Sequence, residues 1–95
     1  MAKEMTENRK AILIAFSVLE TQKSRTEFTL KEIEQEVKGV KPKTLRYHIN
    51  STMNDGKYHK YNGRFEIETV GKQDRELIYA LTDAGRKSLA NITNQ

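Results

Sequence analysis

Apolar residues along the chain recur first near every 3.6 positions, then every second position, then near every 3.6 again. From Ala11 to Leu19, Ile12, Phe16 and Leu19 share one helical face, and Leu13, Ile14 and Val18 widen the apolar surface. With Thr6 as cap and Glu7 at the positive end, this predicts a helix over about 6–23. A helix apolar on so many sides is either central to its domain or shared with a second subunit.

The next signal is local. Thr29 followed three residues later by Glu32 forms a capping box, and Phe28 and Ile33 occupy the positions of a hydrophobic staple. Leu30, Ile33 and Val37 then make an inward stripe, with Gly39 placed to end the helix in the left-handed conformation. A short second helix over about 30–38 is expected. Pro42 suits the first position of a third, over about 42–54. Setting Leu45 at zero, Ile49 falls at about 40° and Met53 at about 80°, so these point inward. Lys43, Thr44, Tyr47 and Asn50 fall on the opposite side, with Arg46 and His48 on the flanks. The connection between the two helices is short enough for a helix-turn-helix.

Two alternating runs follow. Phe65, Ile67 and Thr69 share one strand face, and Leu77, Tyr79 and Leu81 another. A polar, charged hairpin loop, Gly71 to Glu76, joins them, so a two-stranded hairpin is expected over about 64–81. Thr82-Asp83 starts a last helix over about 83–92, with Leu89 and Ile92 facing one way. Tyr79 reads as core. In 54–63, Asn62-Gly63 is a hairpin signal that would pair 57–61 with 64–68. The crowded Lys, His and Tyr side chains there favour a loop instead. The expected class is α+β, mostly helical, as a single domain over 1–95.

Charge sharpens this picture. The net charge is +4. Residues 1–40 hold seven basic and seven acidic groups, and residues 76–95 hold two of each. Residues 41–75 hold eight basic against four acidic, so the whole excess lies there, interleaved with Tyr47, His48, Tyr58, His59 and Tyr61. Such a patch suits a polyanion, most commonly nucleic acid. On charge alone, a plain solvated basic face remains open.

Other chemistry is missing from the pattern. With no cysteine there is no disulfide framework, thiolate metal site or cysteine nucleophile. His48 and His59 have no carboxylates at metal-ligand spacing, and His48 reads as a helix-flank residue able to touch phosphate. Gly56, Gly63 and Gly71 form no phosphate-cradling motif, and none of the serines Ser17, Ser24, Ser51 and Ser88 sits in a nucleophile elbow. Glu32, Glu34 and Glu36 read as the exposed face of a short helix. No enzyme activity, cofactor, metal or small-molecule effector is expected. The longest apolar run is too short for a bilayer, and the polar lead lacks a signal-peptide pattern, so a cytoplasmic protein without membrane association is expected.

Helix, short helix, turn, helix, two-stranded hairpin, helix is the order of a winged helix-turn-helix domain. Leu81-Thr82-Asp83-Ala84-Gly85-Arg86-Lys87-Ser88-Leu89 resembles the "LTxxGRxxL" stretch that closes the wing in many prokaryotic regulators, including multiple-antibiotic-resistance-type and phenolic-acid-decarboxylase-type repressors. Thr29–Ile33 and Lys43–Ile49 resemble that superfamily's positioning and recognition helices. Lys41 departs from the pattern, standing at a cap position where small polar residues are usual.

The resemblance implies a sequence-specific double-stranded DNA-binding transcription regulator. Its recognition helix would enter the major groove and its wing would touch backbone or minor groove. Carried over by position, the implied DNA contacts are Lys43, Thr44, Arg46, Tyr47 and Asn50, with Lys72 and Arg75 on the wing. Arginine and asparagine can pair bidentately with guanine and adenine edges, whereas lysine and tyrosine more often hold phosphate. A homodimer using the helix at Ala11–Leu19 is expected. The alternative is a winged-helix interaction module that binds a protein or a structured RNA.

Overall fold

The computed structural model describes residues 7–53 and 66–93. The expected Thr6 cap, Phe65, and the choice between hairpin and loop for 54–63 lie outside the described residues. Among the described residues, four α-helices and a three-stranded antiparallel sheet make an α+β fold, mostly helical. The order is α1 (Glu7–Lys23), β1 (Glu27–Thr29), α2 (Leu30–Glu36), α3 (Pro42–Tyr47), a π-helical turn (His48–Thr52), β2 (Ile67–Gln73), β3 (Glu76–Leu81) and α4 (Asp83–Thr93). No helix among the described residues is long and apolar enough to cross a membrane.

α1 is central. Ile12, Leu13, Ala15, Phe16 and Leu19 are all buried, under α2 on one side and α4 on another. The chain therefore covers most of the wide apolar surface of α1 by itself. Ile14, 43% exposed, is the large apolar residue left outside. Ser24 ends the helix in the left-handed region at φ 54, its N–H bonded to the Glu20 carbonyl.

The expected two-stranded sheet has a third member. β1 pairs antiparallel with β3, in the order β1-β3-β2, setting Phe28 opposite Tyr79. Phe28 is fully buried and meets Phe16 edge-on, with ring centroids 6.1 Å apart. A strand of three residues shows no usable alternation. It forms because it lies against a strand some fifty positions later in sequence, at Ile78 to Ala80.

α2 starts as expected. Thr29 Oγ1 accepts from the Glu32 N–H, and the Glu32 carboxylate accepts from the Thr29 N–H, completing the capping box. The helix stops at Glu36, two residues short of the expected end. Val37 turns extended while its N–H still reaches the Ile33 carbonyl, and its side chain stays buried. Gly39 does adopt a left-handed φ of 81°, but in the turn beyond the helix. The acidic row on α2 is not simply a solvated face. Glu32, Glu34 and Glu36 are half-buried, Glu32 serves the cap and Arg25, and Glu34 pairs with Arg46.

The expected continuous third helix changes form part way. Pro42 occupies the first turn, and Lys41 caps it without a side-chain hydrogen bond. From His48 the winding widens to a π-turn, in which the Met53 N–H bonds to the His48 carbonyl. Leu45, Ile49 and Met53 are buried as expected. The Met53 carbonyl then accepts from both the Glu66 and Ile67 N–H groups at 2.9 Å, which ties the end of this helix to the start of β2.

β2 and β3 stay paired closer to the hairpin tip than expected, leaving a tighter turn. The strands run to Gln73 and from Glu76, leaving only Asp74 and Arg75 as the turn, both at positive φ. Ile67 pairs with Leu81 and Thr69 with Tyr79 on the core side. The register then slips between Thr69 and Gly71, so Val70 is the additional residue of a β-bulge and lies 41% exposed. Beyond the bulge, Gly71 to Glu76 are exposed, and the hairpin tip projects past the core.

The stretch from Leu81 to Leu89 works as a clamp. The Thr82 N–H donates to the Glu66 carbonyl, and Thr82 Oγ1 caps α4 by accepting from the Gly85 N–H. Arg86 forks onto the Glu20 carboxylate and so binds α4 to α1. Leu89 packs against the core. Glu66 is 1% exposed and is the centre of this region. Arg9 Nε and Nη2 donate to its two carboxylate oxygens at 2.7 and 2.6 Å, and Ser88 Oγ donates to one of them.

Candidate nucleic-acid interface

The seven residues implied as DNA contacts are presented by two elements, the α3–π segment and the β2–β3 hairpin. On α3, the buried Leu45 fixes which side faces out. Lys43 and Arg46 are exposed, Tyr47 is 51% exposed, and Thr44 is half-buried. The Tyr47 ring lies edge-on to the ring of His48, with centroids 5.8 Å apart.

Asn50 is placed differently from the expectation. With regular α-helical spacing it would lie about 140° from Leu45, on the outer side. The π-turn advances fewer degrees per residue, which rotates Asn50 toward the sheet. It is half-buried, and its Oδ1 accepts from the Tyr79 hydroxyl at 2.7 Å. Asn50 in this position braces the helix against β3, with one acceptor site of Oδ1 taken by the Tyr79 hydroxyl. Tyr79 is core, as expected, at 1% exposure, and its hydroxyl supplies the brace.

Arg46 is exposed but not isolated. Its Nε donates to Glu34 Oε2 of α2 at 3.4 Å. Arg46, Asn50 and Arg75 meet along one groove of about 510 Å³ between α2, α3 and the hairpin, which Glu34, Glu76 and Tyr79 also line. Lys43, Thr44, Tyr47 and Lys72 lie outside that groove. Lys72 is exposed on β2 opposite Leu77, and Arg75 occupies the turn at φ 73°. On the other side of the hairpin a second hollow of about 710 Å³ is bounded by Arg25, Phe28, Glu32 and Asp74. There the Arg25 guanidinium stands 5.0 Å above the Phe28 ring.

The titratable groups are shifted where burial or pairing demands it. Burial pushes the His48 imidazole below its ordinary value, and the positive charge of Arg9 adds to that. Neutral His48 is thus poorly suited to act as a phosphate-binding cation. The Glu32 carboxyl is held below the usual range, chiefly by its hydrogen bond from Arg25 and further by the Thr29 N–H, against the opposing effect of burial. Among the described residues, no three His, Cys, Asp or Glu side chains gather as a metal site.

Two participants were not visible in the sequence. Glu34 was hidden in an acidic helix face, and its pairing with Arg46 depends on the angle between α2 and α3. Lys31 also lines the groove, adding a cation to its α2 wall. No family model matches this chain, no curated protein matches it, and no solved structure matches it.

Proposed function

We propose that this chain is a winged helix-turn-helix protein that binds double-stranded DNA sequence-specifically and regulates transcription. The observation that carries the reading is the pairing of an outward helix with a projecting hairpin whose tip exposes two cations, Lys72 and Arg75. α3 buries Leu45 and turns Lys43, Arg46 and Tyr47 outward. The hairpin carries Lys72 and Arg75 beyond the core. An α-helix fits the major groove, and a hairpin beside it can reach the adjoining backbone.

In this reading Arg46 reads a base, Lys43, Thr44 and Tyr47 hold the helix on the duplex, and Lys72 and Arg75 bind phosphate. Asn50 positions the helix through Tyr79. The homodimer stands on narrower ground, because α2 and α4 cover most of α1 and leave Ile14 as the exposed apolar residue. Sedimentation at micromolar concentration, with and without DNA, decides that part.

Selection of duplexes from a random pool, followed by a salt titration on the winner, tests the function. Binding should weaken with salt by a log–log slope of about 0.9 per phosphate contact, and Lys72→Ala should reduce that slope on every duplex. The exposed Tyr47 and Val70 favour a second reading, a protein- or RNA-binding module. Tight binding to structured RNA, with no duplex enriched, would put that reading first.

A further inference from the structure

We infer that Glu34 holds Arg46 in the orientation of a guanine reader, so the preferred duplex carries a guanine at the base pair facing Arg46. This rests on the DNA reading above and adds a positioning residue and a base identity to it.

The geometry is specific to one edge of the guanidinium. Glu34 Oε2 accepts from Arg46 Nε, which leaves both terminal amino groups of the fork for another partner. Two parallel N–H donors are what the O6 and N7 acceptors of guanine require in the major groove. Arg46 is 58% exposed and Glu34 28% exposed, so the fork is accessible while its brace is partly sheltered. An unbraced arginine on an open helix face loses rotamer freedom when it binds, and prior restraint removes part of that loss.

Charge points the same way. A carboxylate at the edge of a phosphate-binding surface opposes contact with any duplex. Its position beside Arg46 is therefore unfavourable for general affinity and favourable for selectivity, since a wrongly placed duplex meets the charge without the compensating pair.

The test compares the selected duplex with the three duplexes changed at the one base pair that Arg46→Ala renders indifferent. Wild type should prefer guanine there by roughly 5- to 150-fold, the range of one bidentate pair. Glu34→Gln should lose most of that preference while binding the other three duplexes as tightly as wild type or tighter. Glu34→Asp, which keeps the charge, should retain more of it. In the Arg46→Ala background, adding Glu34→Gln should change the preference no further, because the interaction it removes is already gone. A merely structural Glu34 would instead lower the melting temperature and weaken all four duplexes equally, and that result overturns the inference. So does a Glu34→Gln protein that keeps the full guanine preference, or a site in which no base pair depends on Arg46. A wild-type protein that enriches no duplex overturns the DNA reading itself, and this inference with it.

Discussion

The Tyr79 hydroxyl donates to Asn50 Oδ1 at 2.7 Å, joining β3 to the π-turn across 29 positions of sequence. Tyr79 is buried in the core and Asn50 lies at the edge of the groove, so this bond fixes the helix end relative to the hairpin. Tyr79→Phe keeps the ring and removes the donor, leaving a partly buried carbonyl unpaired. It should cost about 1 kcal/mol in urea unfolding. An unchanged midpoint would mean that the bond does not hold the two elements together.

Gly85 is where the clamp allows no side chain. A Cβ there would sit 2.1 Å from the Glu66 carbonyl oxygen, which is backbone and itself accepts from the Thr82 N–H. The neighbour cannot rotate away as a side chain would. Gly85→Ala should therefore cost about 3 kcal/mol or more, in the upper range of overpacking. Thermal melting of Gly85→Ala beside Ala84→Gly, which tests only helix propensity, separates the clash from a general effect on α4.

Burial of Glu66 gives a third expectation. Arg9 is the cation that balances it, and Ser88 fills a further acceptor site. Arg9→Met leaves a buried charge uncompensated, which typically costs 3–5 kcal/mol. The double change Arg9→Met with Glu66→Gln should recover much of that loss. If the double variant is less stable than Arg9→Met alone, the ion pair is not what the single change disrupts.

How much of this was legible depends on how far apart the interacting residues lie. The capping box at Thr29 and Glu32 could be read because both halves lie within one turn. The inward stripe Leu45, Ile49 and Met53 could be read because it repeats. The pairing of Glu66 with Arg9 spans 57 positions, and no local pattern announces it. β1 escaped notice for a similar reason, since only β3 makes it a strand. Uniform α-helical winding puts Asn50 on the outer side, and the π-turn at His48–Thr52 breaks that uniformity. The contact role of Lys43, Arg46 and Tyr47 is a different matter: their exposure follows from the stripe opposite them, whereas what they touch does not.

His48 makes stability depend on pH near neutrality. Burial, helped by Arg9, lowers its folded pKa below the ordinary value of 6.5. The unfolded chain then takes up the proton first as pH falls. The stability that neutral His48 contributes is present above about pH 6.5 and is lost as pH falls toward the folded value. The unfolding midpoint should decline from pH 7.5 to pH 5.5 in wild type, and less steeply in His48→Gln. Equal slopes in the two proteins would remove His48 as the cause.

Arg75 sets stability against binding. The turn holds Asp74 at φ 49° and Arg75 at φ 73°, a two-residue hairpin connection with both residues left-handed. Aspartate tolerates that region, but an arginine there carries a steric cost of about 1 kcal/mol or more. Asp-Gly is the sequence such a turn favours, so Arg75→Gly should relieve the strain. Part of the gain is offset by the greater freedom of glycine in the unfolded chain, leaving about 0.5 kcal/mol of net stabilisation. The same change removes a cation from the hairpin tip. Under the proposed function it should weaken binding on all duplexes and lower the salt slope by about 0.9. A protein made more stable and less adhesive by one substitution would show that residue 75 is kept for contact rather than for the turn. If Arg75→Gly gains stability and binds every duplex at every salt concentration as wild type does, the hairpin tip does not touch the DNA backbone.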